Sequence, residues 1–146
     1  MTTAYRWIRE DAPRWDADKR RIFGPAELAA TGLTPPPDGA PVADEWWHVA
    51  DESGEIVGYG WLDTEWGDAE VTFVVAAAHR GRGIGEFIVD RLAAEAAARG
   101  LNYIYNVVPP TSPDAERVTA WLLDRGFEPG AADLHRRVRE NLSQSP

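Results

Sequence analysis

Three glycines at alternate positions, Gly81, Gly83 and Gly85, stand in the run Arg80-Gly81-Arg82-Gly83-Ile84-Gly85, between an apolar stretch, Val71 to Ala78, and an amphipathic one, Glu86 to Arg99. A strand that passes through a glycine-rich turn into a helix start points several backbone N–H groups at one spot, where the helix dipole favours an anion. Residues of this kind at this spacing can cradle a phosphate, and Arg80 and Arg82 add positive charge at its rim. The chain has no cysteine, so a thiolate nucleophile, a disulfide and a thiolate-bound metal are excluded. The three histidines, His48, His79 and His135, lack the close spacing of metal ligands, and no metal is expected.

Several other residues could act on or hold a ligand. Asp63, Glu65 and Asp68 surround one turn and can attract a cation, although acids in turns are usually just solvated. His48 is another candidate base, but it shares a strand face with Trp46 and reads as a partly buried structural histidine. His79 abuts Arg80 and can face a phosphate. Of the seven tryptophans, Trp46, Trp47, Trp61 and Trp66 fall close together. Alternation along a strand sends Trp46 and Trp47 to opposite faces, so one of the two is expected outside the core. Trp46 and Trp61, with Asp63 nearby, would make an aromatic wall for an amine through apolar and cation–π contact. The competing readings are ordinary core residues or a dimer interface.

The formal charge of −9, from 24 acidic and 15 basic residues, argues against binding to nucleic acid or to an anionic membrane and suits a small cationic partner. Met1 to Glu10 has no signal-like apolar core, and no run approaches the roughly 20 apolar residues of a membrane span, so a cytoplasmic protein is expected. At 146 residues, 44% of them apolar, one domain over 1–140 with a frayed tail, Asn141 to Pro146, is expected, as monomer or homodimer.

The elements that must position these residues follow from periodicity. Tyr5 to Arg9 predicts a strand, Asp11 to Arg21 is polar connecting chain, and Pro25 to Ala30 predicts a short helix with proline at its start. Thr34 to Pro41 is a Pro-rich surface loop that could border the ligand site. Trp46 to Ala50, Ile56 to Leu62 and Ala69 to Val75, joined by Gly-bearing turns, predict an antiparallel meander. Ile84, Phe87, Ile88 and Leu92 share one buried helix face, Arg99 closes that helix and Gly100 stops it. A strand over Tyr103 to Val108 ends at Pro109-Pro110 and would pair in parallel, making the sheet mixed. Ser112 can cap a helix running from Pro113 to Asp124, and Leu134 to Val138 predicts the last strand. The fold class is α+β with one mixed, mostly antiparallel sheet.

The glycine spacing is not that of a dinucleotide fold, which needs G-x-G-x-x-G near the start of an alternating chain, and no Gly-Lys-Ser or Gly-Lys-Thr of a P-loop occurs. It resembles the Arg/Gln-x-x-Gly-x-Gly/Ala signature of the GNAT superfamily, the coenzyme A dependent N-acetyltransferases, with Arg80, Gly83 and Gly85 at the fixed positions. The resemblance runs from about Glu45 to Val138 and includes the ending Trp121-Leu122-Leu123-Asp124-Arg125-Gly126-Phe127-Glu128. It implies a three-layer α/β/α fold and acetyl-CoA, or a longer acyl-CoA, as co-substrate. The amides of Gly81, Arg82, Gly83, Ile84 and Gly85 would hold the pyrophosphate, and the main chain of Val75 and Ala76 would meet the pantetheine arm. Asn106 and Ser112 would be coenzyme or acceptor contacts, or simply a strand-end polar group and a cap.

Ala69-Glu70-Val71-Thr72-Phe73 resembles the histone acetyltransferase branch, which implies Glu70 as the base that deprotonates the amine. Many members carry a tyrosine acid where this chain has Leu122. Tyr105 or Tyr103 could substitute, water could protonate the leaving thiolate, or catalysis could be lost. The expected function is therefore acetyl transfer to a primary amine of a small cationic metabolite by direct attack in a ternary complex. The alternatives are a catalytically silent coenzyme A-binding or regulatory module, and an acyltransferase acting on a protein lysine or N-terminus.

Overall fold

The computed structural model describes residues 4–109, 112–131 and 133–138, so the expected tail at 141–146 lies outside the described residues. The chain order is β1 (Arg6–Arg9), α1 (Ala17–Ile22), α2 (Pro25–Thr31), β2 (Trp46–Ala50), β3 (Ile56–Glu65), β4 (Asp68–Val75), a 3-10 turn (Ala77–His79), α3 (Ile84–Ala98), β5 (Tyr103–Asn106), α4 (Ala115–Asp124), β6 (Glu128–Pro129) and β7 (Leu134–Arg137). The strands form one sheet in the order β1-β2-β3-β4-β5-β7-β6. Every neighbouring pair is antiparallel except β4 and β5, whose connection through α3 brings them together in parallel. Helices cover both faces, and the sheet is the middle of three layers, as the resemblance implies.

Two cores follow from that layering. On one face Ile84, Ile88 and Leu92 of α3 rest on Val57, Val71 and Ile104, and Leu122 of α4 joins them. On the other, α1 and α2 close over Trp15, Phe23, Trp46, Tyr59, Trp61 and Val74. Trp46 and Trp47 do point to opposite faces, but both are buried, at 1% and 2% exposure, which corrects the expectation that one lies outside the core. Trp47 stacks on Trp7 with ring centres 5.5 Å apart, and Trp46 stacks on Trp61 at 4.1 Å.

The N-terminal helices hold the second core shut. Asp16 accepts from the Lys19 N–H and caps α1, a helix that the polar stretch had concealed. Lys19 is fully buried; its ammonium lies 2.6 Å from Glu10 Oε1 and 5.4 and 5.1 Å from the ring centres of Trp46 and Tyr59. His48 bonds the other oxygen of Glu10 through Nδ1 at 2.9 Å. The Pro-rich loop docks here too: the Trp15 N–H donates to Ala40 O, and Gly39 donates back to Trp15 O.

Three boundaries differ from expectation. The strand after α3 ends at Asn106, not Val108, because its last side chain turns to donate from Nδ2 to Val71 O at 2.8 Å, bridging to β4 rather than continuing beside it. The helix α4 starts at Ala115 with Asp114 at its N-cap, while Ser112 is buried and offers its carbonyl to the Ala115 N–H. A short extra strand, β6, pairs with β7.

Two strand glycines set how close α3 comes to the sheet. A Cβ on Gly60 would sit 2.6 Å from Ile88 Cγ2, and one on Gly58 would sit 2.8 Å from Val74 O and 3.1 Å from Ile88 Cδ1. Gly58→Ala must displace backbone to fit, so it should lower stability by about 1–3 kcal/mol in urea unfolding with the denaturant slope unchanged.

Candidate functional site

The end of β4, the glycine loop and the start of α3 form one wall of a cleft of about 470 Å³, and α2 and α4 form the others. Phe73, Val74 and Val75 floor it from β4; Ala26, Glu27, Ala30 and Thr31 face it from α2; Arg117, Val118 and Trp121 face it from α4, and Arg125 from the C-cap of that helix. The Pro-rich loop 34–41 does not line it.

The loop has the expected shape. Gly81 and Gly83 hold φ of +78° and +82°, where side chains are strained, and Gly83 is the N-cap of α3. Among the described residues the N–H groups of Gly81, Gly83, Ile84, Gly85 and Glu86 have no backbone acceptor; the first backbone donor of the helix is Phe87, to Gly83 O. This is a free set of convergent donors at a helix N-terminus, and the groups present fit the diphosphate of a coenzyme. Gly85 has a different reason for being glycine: its Cβ would lie 3.3 Å from Trp121 Cζ2, so it makes room for an indole rather than for a phosphate.

Charges around the loop are already paired. Arg80 forms an ion pair through Nη2 with Glu27 Oε2 on α2, instead of standing free at the rim. His79 bridges Glu55 Oε2 and Arg82 Nη1, both at 3.3 Å. Arg125 lies over the Trp121 ring, 3.8 Å from its centre, and donates to Trp121 O.

The parallel pairing of β4 with β5 covers only Ala69 with Ile104 and Glu70 with Tyr105. Beyond Glu70, β4 runs on to Val75 while β5 ends at Asn106, and the strands part. Just before the parting, register places Asp63, Glu70, Tyr105, His135 and Glu128 side by side across five strands, on the face opposite α3. Asp63 is exposed and Glu70, Tyr105 and His135 are partly so. Burial pushes the Glu70 carboxyl above its usual value, and the charges of Asp63 and Glu65 push it the same way. Asp63 is raised by burial alone. The Tyr105 phenol is raised by burial first and then by Glu70, Glu65, Asp63 and Asp133, so it keeps its proton at neutral pH.

The structure thus brings Glu70, Tyr105 and Asp63 into one row, and Val75 with Arg80, Gly81, Gly83, Ile84 and Gly85 into one cleft. Ala76 is buried beside it, its N–H donating to Val57 O, and Arg82 is exposed on the outside of the turn. Asn106 points into the gap between β4 and β5. Trp46 and Trp61 are buried, the latter at 5% exposure, and the cation over Trp46 is the chain's own Lys19. Where a family tyrosine is often found, Leu122 is fully buried in the α3 core. Sequence reasoning missed Glu27, Trp121 and Arg125. Trp121 sits in a visible apolar helix line, but nothing local links Glu27 to Arg80, 53 residues away. Among the described residues no group of three or more His, Cys, Asp or Glu could hold a metal ion, and no helix is long and apolar enough to cross a membrane.

Comparison with solved structures agrees with this architecture. A phosphinothricin acetyltransferase from Sinorhizobium meliloti, in complex with AcCoA, is 19% identical over all of this chain and 94% of its own, with a TM-score of 0.63. A candidate acetyltransferase from Acinetobacter baylyi ADP1 is 13% identical over 94% of both chains, with a TM-score of 0.66. N-acetylglutamate synthase from Neisseria gonorrhoeae, complexed with coenzyme A and L-arginine, is 18% identical over 66% of this chain, with a TM-score of 0.56; the match spans only 25% of the synthase. No curated protein sequence matches the chain. The sequence profile of the Acetyltransferase (GNAT) family matches residues 3–127, and with the fold described above the chain belongs to that family.

Proposed function

We propose that the protein transfers an acetyl group from acetyl-CoA to the primary amine of a small cationic metabolite, by direct attack in a ternary complex. The observation that carries this reading is the join at Glu70 and Tyr105: the row of proton-handling groups sits where β4 leaves β5 and becomes the floor of the phosphate cleft. The donor would supply an acetyl thioester. Its diphosphate would lie on the N–H groups of Gly81 to Gly85, and its arm would follow the main chain of Val75 and Ala76 toward Glu70.

Glu70 takes the ammonium proton of the acceptor, directly or through one water, and its raised carboxyl makes it a better base than an ordinary glutamate. Asp63 and Glu65 hold the cation beside it by charge. Tyr105, opposite Glu70 in register, retains its proton and donates it to the departing thiolate. Donor and acceptor would meet where β4 and β5 part, so positioning supplies much of the rate. The fully buried Leu122 favours a second reading, a coenzyme A-binding module without catalysis.

Mixing the protein with acetyl-CoA and a panel of small amines should release free thiol, measured with a disulfide reagent. Coenzyme binding with no thiol release from any small amine or lysine-bearing peptide selects the silent module instead. Glu70→Gln should lower kcat about 10²-fold while coenzyme affinity is kept. The same substitution bears on stability. A carboxyl raised in the folded state favours folding below its unfolded value and loses that advantage as pH rises through the folded value. Glu70→Gln should therefore melt above the wild type at pH 7, and the gap should close toward about pH 4. A lower melting temperature at pH 7 would contradict the burial argument.

A further inference from the structure

We propose that Glu27 is an internal counter-anion for Arg80: its carboxylate competes with the donor's diphosphate for that guanidinium and so sets how tightly the cleft holds coenzyme. The inference rests on the reading of this cleft as the coenzyme site and adds a residue that the GNAT signature does not contain.

The three arginines that face the cleft are each matched by a carboxylate that also faces it. Arg80 pairs with Glu27, Arg117 with Asp114 at 2.9 Å, and Arg125 with Glu86 at 3.8 Å. These pairs are not equivalent. The Asp114 and Glu86 side chains are 54% and 57% exposed, so water and salt screen them and they can swing away from an incoming anion. Glu27 can do neither. It is buried at 7% exposure, with Oε1 accepting the Gly24 N–H at 3.1 Å and Oε2 on Arg80. The backbone makes room for it: a Cβ on Gly24 would sit 2.9 Å from Glu27 Oε1.

A buried carboxylate with both oxygens engaged is a fixed negative charge beside the loop that offers its N–H groups to an anion. Arg80 cancels it, and in doing so gives up much of the field it would otherwise direct at the diphosphate. Its remaining N–H donors stay available, because the arginine side chain is 49% exposed. The donor therefore shares Arg80 with Glu27. A cleft tuned in this way gives up coenzyme A more readily after transfer.

The test is the affinity of free coenzyme A for Glu27→Gln, by isothermal titration. Glutamine at this position can keep its Oε1 on the Gly24 N–H, the half of a capping box that residue 27 supplies. Its Nε2 donor replaces the acceptor that Arg80 uses, so the charge and the ion pair are lost together and the guanidinium is released. The variant should bind coenzyme A about 3- to 10-fold more tightly at low salt, a single-charge effect near a protein surface, and the gain should shrink in 0.5 M salt on the order of the screening length. A purely structural role predicts the opposite sign, since a loosened α2 wall weakens binding. Equal or weaker binding by the folded variant, or a gain indifferent to salt, overturns the proposal. If Glu27→Gln does not melt cooperatively, Glu27→Asp, which withdraws the carboxylate by one methylene, should show a smaller gain in the same direction, and no gain there overturns the proposal. Failure of the wild type to bind coenzyme A at all overturns the donor reading itself, and the inference with it.

Discussion

Gly58 and Gly60 remove two side chains from the face of β3 on which Ile84 and Ile88 rest, and so set the height of α3 above the sheet. The rest of the site inherits that height. The N-terminus of α3 carries the glycine loop, and the loop's free N–H groups are useful only if they open at the end of β4, where Phe73, Val74 and Val75 make the floor. Trp121 then fits over Gly85, bringing α4 in as the second wall. Close packing at two strand positions is thus converted into the geometry of the anion cradle at the start of the same helix.

The opposite face is held by a different kind of contact. There the chain encloses a cation of its own, Lys19, between carboxylates and aromatic rings, and the tryptophans around it are core residues. A buried pair of this kind contributes little net energy, but removing one partner would strand the other's charge away from water. That makes α1 hard to displace. By contrast, in the row from Asp63 to Glu128 the two end acids are exposed and Glu70, Tyr105 and His135 are partly so. One face of one sheet therefore has a sealed end and a more open end, and Asp63, Glu70 and Tyr105 lie at the open one.

What was legible in the sequence was whatever depends on near neighbours along the chain. The meander showed in its alternation, α3 in its apolar spacing, and the loop in its glycines, because each is fixed by contacts within a few residues. The helix α1 was hidden because its six residues include only one large apolar side chain, Ile22, and it is held by Asp16 and by an ion pair back to Glu10. The burial of both Trp46 and Trp47 was hidden for a related reason: alternation gives the direction of a side chain, not whether a helix covers that direction. Arg80 could be read as a loop cation, but its partner lies on α2 and belongs to tertiary structure alone.

The two-residue pairing of β4 with β5 makes the sheet a jointed object. The meander on one side and the hairpin of β5, β7 and β6 on the other share few backbone hydrogen bonds, and the Asn106 amide is one of the groups that spans the joint. In the language of local unfolding, a seam with so few backbone hydrogen bonds is where amide exchange reports local opening, while the apolar core that Val71 shares with Ile104, Leu122 and Leu134 ties the two sides together. Any ligand that lies in the gap with its own amides toward the strand edges completes the missing ladder. Occupancy would then brace the sheet at the point where its backbone ladder is thinnest.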